Sequence, residues 1–105
     1  IITVNAILRS YSKVSFLYHV LQLAYDHSND LDKAKDCMLK CLKISPNYFE
    51  ALNNYGLILQ KLDHELEANK QFKKALTIKP DFPEALNNLG LSQKNLGFVK
   101  DAMMT

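Results

Sequence analysis

Much of this chain repeats itself after an interval of 34 residues. The proline-turn Ser45-Pro46-Asn47-Tyr48-Phe49 answers to Lys79-Pro80-Asp81-Phe82-Pro83, and Glu50-Ala51-Leu52-Asn53-Asn54 falls on Glu84-Ala85-Leu86-Asn87-Asn88. Beyond them Gly56 falls on Gly90, Leu57 on Leu91, Leu62 on Leu96 and Ala68 on Ala102. A more diverged copy lies upstream, where Leu23, Ala34, Leu42, Ile44 and Pro46 stand in register with Leu57, Ala68, Leu76, Ile78 and Pro80. A fixed period of this size belongs to small structural units that cannot each cover an apolar face alone and therefore stack on one another.

Inside the period the pattern is helical. Leu52, Tyr55, Leu59 and Leu62 recur at intervals of three and four, which lines them along one helix face. Ala68, Phe72, Ala75 and Leu76 mark a second helix, which runs to Ile78 before Pro80 stops it. Only Asp63-His64 separates the two, and a turn that short makes them antiparallel neighbours. The predicted fold class is therefore all-α, an α-solenoid of antiparallel helix pairs with units at 15–48, 49–82 and 83–105. Residues 1–14, with Val4, Ile7 and Leu8, are expected to form the last helix of a preceding unit or an N-terminal capping helix. The final unit is expected to be truncated, with its first helix from Pro83 to Leu96 and only Val99 to Thr105 of its second. Because the chain starts without Met and stops inside that helix, it reads as an excerpt of a longer protein. Leu86, Leu89 and Leu96 then form a bare C-terminal edge suited to a further helix, a partner or self-association.

Gly56 and Gly90 stand inside helices, where glycine costs about 1 kcal/mol relative to alanine. A close crossing would offset that cost, so Gly56 is predicted to meet Ala68, and Gly90 to meet Ala102, in small-on-small contacts. The first copy has Gln22 and Ala34 at these places, which predicts a looser crossing or a Gln22 amide led out to solvent.

Composition excludes several kinds of function. The 105 residues carry 13 Lys and Arg against 11 Asp and Glu, a net charge of +2 with the cations scattered, so no strong positive field awaits a nucleic acid. No apolar run approaches the ~20 residues needed to cross a bilayer, so no membrane association is expected. His64 lies beside Asp63 and Glu65 with no nucleophile or glycine-rich phosphate loop to join them, and the segment is read as non-enzymatic and free of cofactors. Cys37 and Cys41 face His19 and His27 across a helix pair, yet a Cys-x-x-x-Cys spacing is not a zinc signature. Cys41 shares its column with Ala75 and is read as a small buried hydrophobe, with no metal assigned. Two cysteines without a disulfide-like spacing fit a cytoplasmic setting.

The repeated columns resemble the tetratricopeptide repeat (TPR) family, whose pattern is a large apolar residue, Leu-Gly, an aromatic, then Ala, Phe, Ala and a closing Pro. The middle copy matches with Leu52, Tyr55-Gly56, Leu59, Ala68, Phe72, Ala75 and Pro80. The first copy offers Tyr18, Leu21, Tyr25, Ala34, Met38, Cys41 and Pro46, and the third Leu86, Leu89-Gly90 and Ala102. The resemblance implies that the first helices of successive units line an inner, concave wall that holds peptides or partner helices. On that wall Phe16, His19, Val20, Leu23, Asp26 and His27 are expected from copy one, and Glu50, Asn53, Asn54, Leu57, Gln60 and Lys61 from copy two. Copy three supplies Glu84, Asn87, Asn88, Leu91, Lys94 and Asn95.

The candidate peptide-binding residues are thus His19, Leu23, Asn53, Asn54, Leu57, Lys61, Asn87, Asn88 and Leu91. A row of asparagines can pair with an extended backbone without reading its sequence, because each side chain offers a donor and an acceptor. Leu23, Leu57 and Leu91 make a parallel apolar row for side chains. The arrangement is similar to the asparagine ladder in the repeats that precede the catalytic domain of O-linked N-acetylglucosamine transferase. The family also grips the C-terminal carboxylate of heat-shock chaperones, but that use needs cations where this chain has Glu50 and Glu84. The reading is a protein-interaction scaffold. Its alternative is a substrate-docking or regulatory arm of a larger enzyme, such as a glycosyltransferase or sulfotransferase, with the catalytic domain elsewhere.

Overall fold

The computed structural model describes the backbone of residues 4–104 and the side chains of residues 10 and 13–97. Expectations resting on Val4, Ile7, Leu8, Val99 and Ala102 lie outside the described side chains. Five helices follow one another: α1 (Val4–His27), α2 (Leu31–Ile44), α3 (Phe49–Lys61), α4 (Glu65–Ile78) and α5 (Pro83–Met104). No strand occurs among the described residues. Consecutive helices pack on one another throughout, and α3 also meets α5. The molecule measures 65 × 30 × 19 Å, and the smallest dimension is that of two helix layers.

The two helix hairpins are built alike. Asn29 and Asp63, equivalent residues of copies one and two, both adopt left-handed backbone with φ of 61° and 64°, a conformation that Asn and Asp tolerate better than most side chains. In each case the next amide reaches back to close the preceding helix, Asp30 N–H to the Tyr25 carbonyl and His64 N–H to the Leu59 carbonyl, both at 2.8 Å. The Asp30 carboxylate also caps α2 by accepting from the Lys33 amide. Glu65 and Glu67 place negative charge in the first turn of α4, where the helix dipole favours it.

The third copy behaves differently. Gly97 is equivalent to Asn29 and Asp63, and it is the residue best able to adopt positive φ, yet no glycine does so and α5 runs straight through it. The expected break near Leu96, with a separate second helix from Val99, is therefore absent. At the other end the expected division between 1–14 and 15–48 is also not a break, because α1 is continuous from Val4 to His27. No Gly or Pro interrupts the sequence before Pro46, and Ser15, at the expected boundary, lies buried in mid-helix with its hydroxyl 2.5 Å from that of Ser45.

The core consists of three adjoining clusters. Ala34, Met38, Cys41, Ala51 and Ile58 join α2 to α3, with Tyr18 and Tyr25 of α1 against them. Leu52, Ala75, Phe82 and Ala85 join α3 and α4 to the start of α5, and Leu59, Ala68 and Phe72 fill the α3/α4 crossing with Tyr55 and Leu89 beside them. Gly56 does face a close crossing, and the atoms nearest to it belong to Phe72: a Cβ at position 56 would lie 2.8 Å from Cδ1 and Cζ of that fully buried ring. Phe72 lies one turn beyond Ala68 on α4, and its ring reaches back over the glycine. No described residue lies within 4 Å of a Cβ at Gly90, and its expected partner Ala102 lies outside the described side chains. Gln22 is not led out to solvent either; it is 2% exposed and accepts a hydrogen bond from Asn54.

Candidate functional site

The wall made by α1, α3 and α5 is fastened by one repeated contact. Asn54 of α3 donates from Nδ2 to His19 Nε2 of α1 at 2.8 Å, and Asn88 of α5 donates from Nδ2 to Asn53 Oδ1 of α3 at 2.9 Å. Both contacts span 35 residues, one repeat plus one, so the same step is taken twice. Lys61 repeats that span when its ammonium reaches Asp26 of α1 at 2.7 Å. Because an amide nitrogen can only donate, Asn54 assigns the acceptor role to His19 Nε2 and the ring proton to Nδ1. Nδ1 in turn donates to the Tyr48 hydroxyl at 2.9 Å, and the two rings meet edge to face. Burial, and then the nearby Glu50 carboxylate, push the Tyr48 phenol above its usual range.

This geometry changes the expected role of the asparagines. Their NH2 groups hold neighbouring helices together instead of facing outward, and Asn53, 2% exposed, is an acceptor inside the stack. The sequence could not show it, because a donor for a peptide and a donor for the next helix are the same chemical group. Asn87, equivalent to Asn53, remains exposed.

Two cavities lie along the wall. The first, about 330 Å³, is lined by His19, Phe49, Glu50, Asn53, Asn54, Lys79, Phe82 and Glu84. The second, about 580 Å³, is lined by Leu57, Gln60, Lys61, Asp63, Glu65, Leu91 and Asn95. His19, Asn53 and Asn54 thus meet in one, and Leu57, Lys61 and Leu91 in the other, which places Leu57 and Leu91 on a shared side of the molecule. Leu23, Asn87 and Asn88 line neither; Leu23 is half-exposed on α1 and Asn88 is occupied with Asn53.

Sequence reasoning missed the aromatic floor of the first cavity. Phe49 and Phe82 pack edge to face at 5.5 Å, and the Lys79 ammonium lies over both rings, 4.9 and 5.8 Å from their centroids. The signal was the aromatic residue beside each proline-turn. Neither Glu50 nor Glu84 has an ion pair or side-chain hydrogen bond among the described residues. In the second cavity Glu65 accepts from Gln60 at 2.9 Å and from Asn95 at 3.3 Å, which ties the α3/α4 turn to α5.

Away from the wall, Cys37 and Cys41 are buried free thiols. Burial pushes Cys41 up to about 11, and burial together with Asp36 raises Cys37, so both are inert nucleophiles at neutral pH. Among the described residues no three His, Cys, Asp or Glu side chains converge as metal ligands would.

Three tetratricopeptide repeat models match the chain in succession, at residues 17–48, 37–69 and 67–97, the last described as "TPR repeat". None of the curated proteins matches it by sequence. Among solved structures, the first TPR of Spaghetti (RPAP3) bound to an HSP90 peptide, SRMEEVD, is similar at 18% identity and a TM-score of 0.79, over 87% of this chain and 74% of that one. MamA is similar at 21% identity and a TM-score of 0.77, over 95% of this chain and 63% of that one. The Sgt2 TPR domain from Aspergillus fumigatus is also 21% identical, with a TM-score of 0.76 over 82% of this chain and 57% of that one. The chain therefore spans less than two thirds of two of these three. The 34-residue period, the paired antiparallel helices and three consecutive repeat matches agree: this chain is a member of the tetratricopeptide repeat family.

Proposed function

We propose that the chain is a protein-interaction scaffold that seats an extended peptide or a partner helix along the wall formed by α1, α3 and α5. The observation that carries this reading is that two cavities, one of about 580 Å³, open on that wall with lining from all three of its helices, whereas a cavity of about 420 Å³ lies between α2, α3 and α4. Leu57 and Leu91 receive an apolar side chain between α3 and α5, while Lys61, held by Asp26, flanks it. A neighbour of the same fold holds a peptide, SRMEEVD, which supports a peptide as the kind of ligand. The asparagine row contributes by keeping the wall's helices in register, and an incoming backbone meets the Oδ1 atoms of Asn54 and Asn88, which have no partner among the described residues, and the second amide hydrogen of Asn88.

The test is methyl NMR of the whole chain during titration with peptides selected against it from a random library. Leu57 and Leu91 methyl signals are expected to move with bound peptide, and Leu39 and Leu66, exposed on α2 and α4, to stay still. Shifts confined to Leu39 and Leu66 would place the binding surface on the opposite layer and end this reading.

A further inference from the structure

The wall's charge runs opposite to that of the chain. The whole sequence is net positive by +2, yet the two cavities are lined by four carboxylates, Glu50, Glu84, Asp63 and Glu65, against two lysines. Both lysines are already engaged: Lys61 is paired with Asp26 at 2.7 Å, and Lys79 is stacked on Phe49 and Phe82. Glu50 and Glu84 are not. They come from the same place in copies two and three, converge on one cavity, and have no cation partner among the described residues. Beside them His19, Asn53 and Asn54 supply polar lining; the donors of His19 and Asn54 are spent within the wall, and Asn53 accepts there through Oδ1. Lys79 is the one cation among that cavity's described lining residues, so Glu50 and Glu84 together leave it net negative. The apolar sites are set at a fixed distance from it, since Glu50 to Leu57 and Glu84 to Leu91 are each seven residues along a helix, about 10 Å at 1.5 Å per residue. An extended chain covers that distance in about three residues.

Resting on the interaction-scaffold reading, we infer that the wall selects a basic extended peptide, one carrying a Lys or Arg three positions from a large apolar residue. The cation enters between Glu50 and Glu84, and the apolar side chain enters between Leu57 and Leu91. An acidic peptide such as SRMEEVD is disfavoured, because its carboxylates would meet Glu50 and Glu84 with Lys79 alone in the described lining to offset them.

The experiment selects peptides from a random library displayed on phage against the whole chain. The winners are then synthesised and their Kd measured by fluorescence anisotropy, with synthetic SRMEEVD as comparison. The expected winners are net positive, with Lys or Arg three positions from Leu, Ile, Met or Phe, and they bind more tightly than SRMEEVD. Glu50→Gln combined with Glu84→Gln, which keeps size and helix position, is expected to raise their Kd about three- to tenfold and to flatten its dependence on salt. Leu57→Ser combined with Leu91→Ser should raise it at least as much. Acidic or uncharged winners that still lose affinity in the leucine variant would overturn the charge preference and leave the scaffold reading standing. Winners indifferent to the leucine variant would overturn both.

Discussion

Residues 50–62 and 84–96 are close copies of one another in sequence, and the structure treats them differently. Leu52 is 4% exposed and Leu86 is 51% exposed. Asn53 is buried as an acceptor for Asn88, whereas Asn87 lies open. Gly56 lies under the Phe72 ring and Gly90 within 4 Å of no described residue. Asp63 makes a left-handed turn, and Gly97, better suited to one, stays in a helix. In a stacked array a residue's environment is set by the units on either side of it, so the same residues are core in one unit and surface in the next.

The largest test of that contrast is a pair of leucine truncations. Leu52→Ala removes a side chain packed among Ala75, Phe82 and Ala85 and should lower unfolding free energy by about 2–5 kcal/mol. Leu86→Ala should change it by less than about 0.5 kcal/mol, as for an ordinary surface position. Urea denaturation followed by circular dichroism measures both, and equal losses would break the comparison.

The asparagines give the next largest effect. Asn88→Ala leaves Asn53 Oδ1 buried without its donor and should cost about 1–3 kcal/mol. Asn87→Ala, one residue earlier and exposed, should be nearly neutral in the same assay. If the two variants melt alike, Asn88 is not a fastening between α5 and α3.

Much of the architecture was legible in the sequence because it follows from spacing. The period, the stop at Ile78, the tight turn at Asp63-His64 and the grouping of Leu57 with Leu91 all depend on which residues recur and how far apart. What was not legible depends on side-chain reach. Nothing in the letters shows that the Phe72 ring reaches over Gly56, or distinguishes an asparagine amide aimed at a ligand from one aimed at the next helix. The continuity of α1 through Ser15 and of α5 through Gly97 was missed for a related reason. A repeat pattern marks where turns can form, and whether one does depends on what the following segment can bury.

Alkaline pH bears on groups enclosed by α2 and α3. Burial raises the Cys41 thiol from the ordinary 9.0 to about 11, and burial also raises Cys37, Tyr48 and Tyr55; all four lie in α2, α3 or the turn between them. A proton held more tightly by the folded state adds stability that is complete below the unfolded value, so the thiol's contribution should decline between about pH 9 and pH 11. Cys41→Ala, which installs the residue found at the equivalent Ala75, should make the decline in melting temperature over that window shallower. An identical decline in the variant would show that the Cys41 thiol is not the group responsible.

The contrast between enclosed and open copies is tested most directly by making one substitution at two equivalent positions and measuring the sign of each effect by thermal melting. Gly56→Ala drives a methyl group into the buried Phe72 ring and is predicted to destabilise the chain by about 1–3 kcal/mol. Gly90→Ala meets no described residue within 4 Å and is predicted to stabilise α5 by about 1 kcal/mol through helix propensity alone. Melting temperatures that move in opposite directions support the account, and a shift of the same sign in both variants would contradict it.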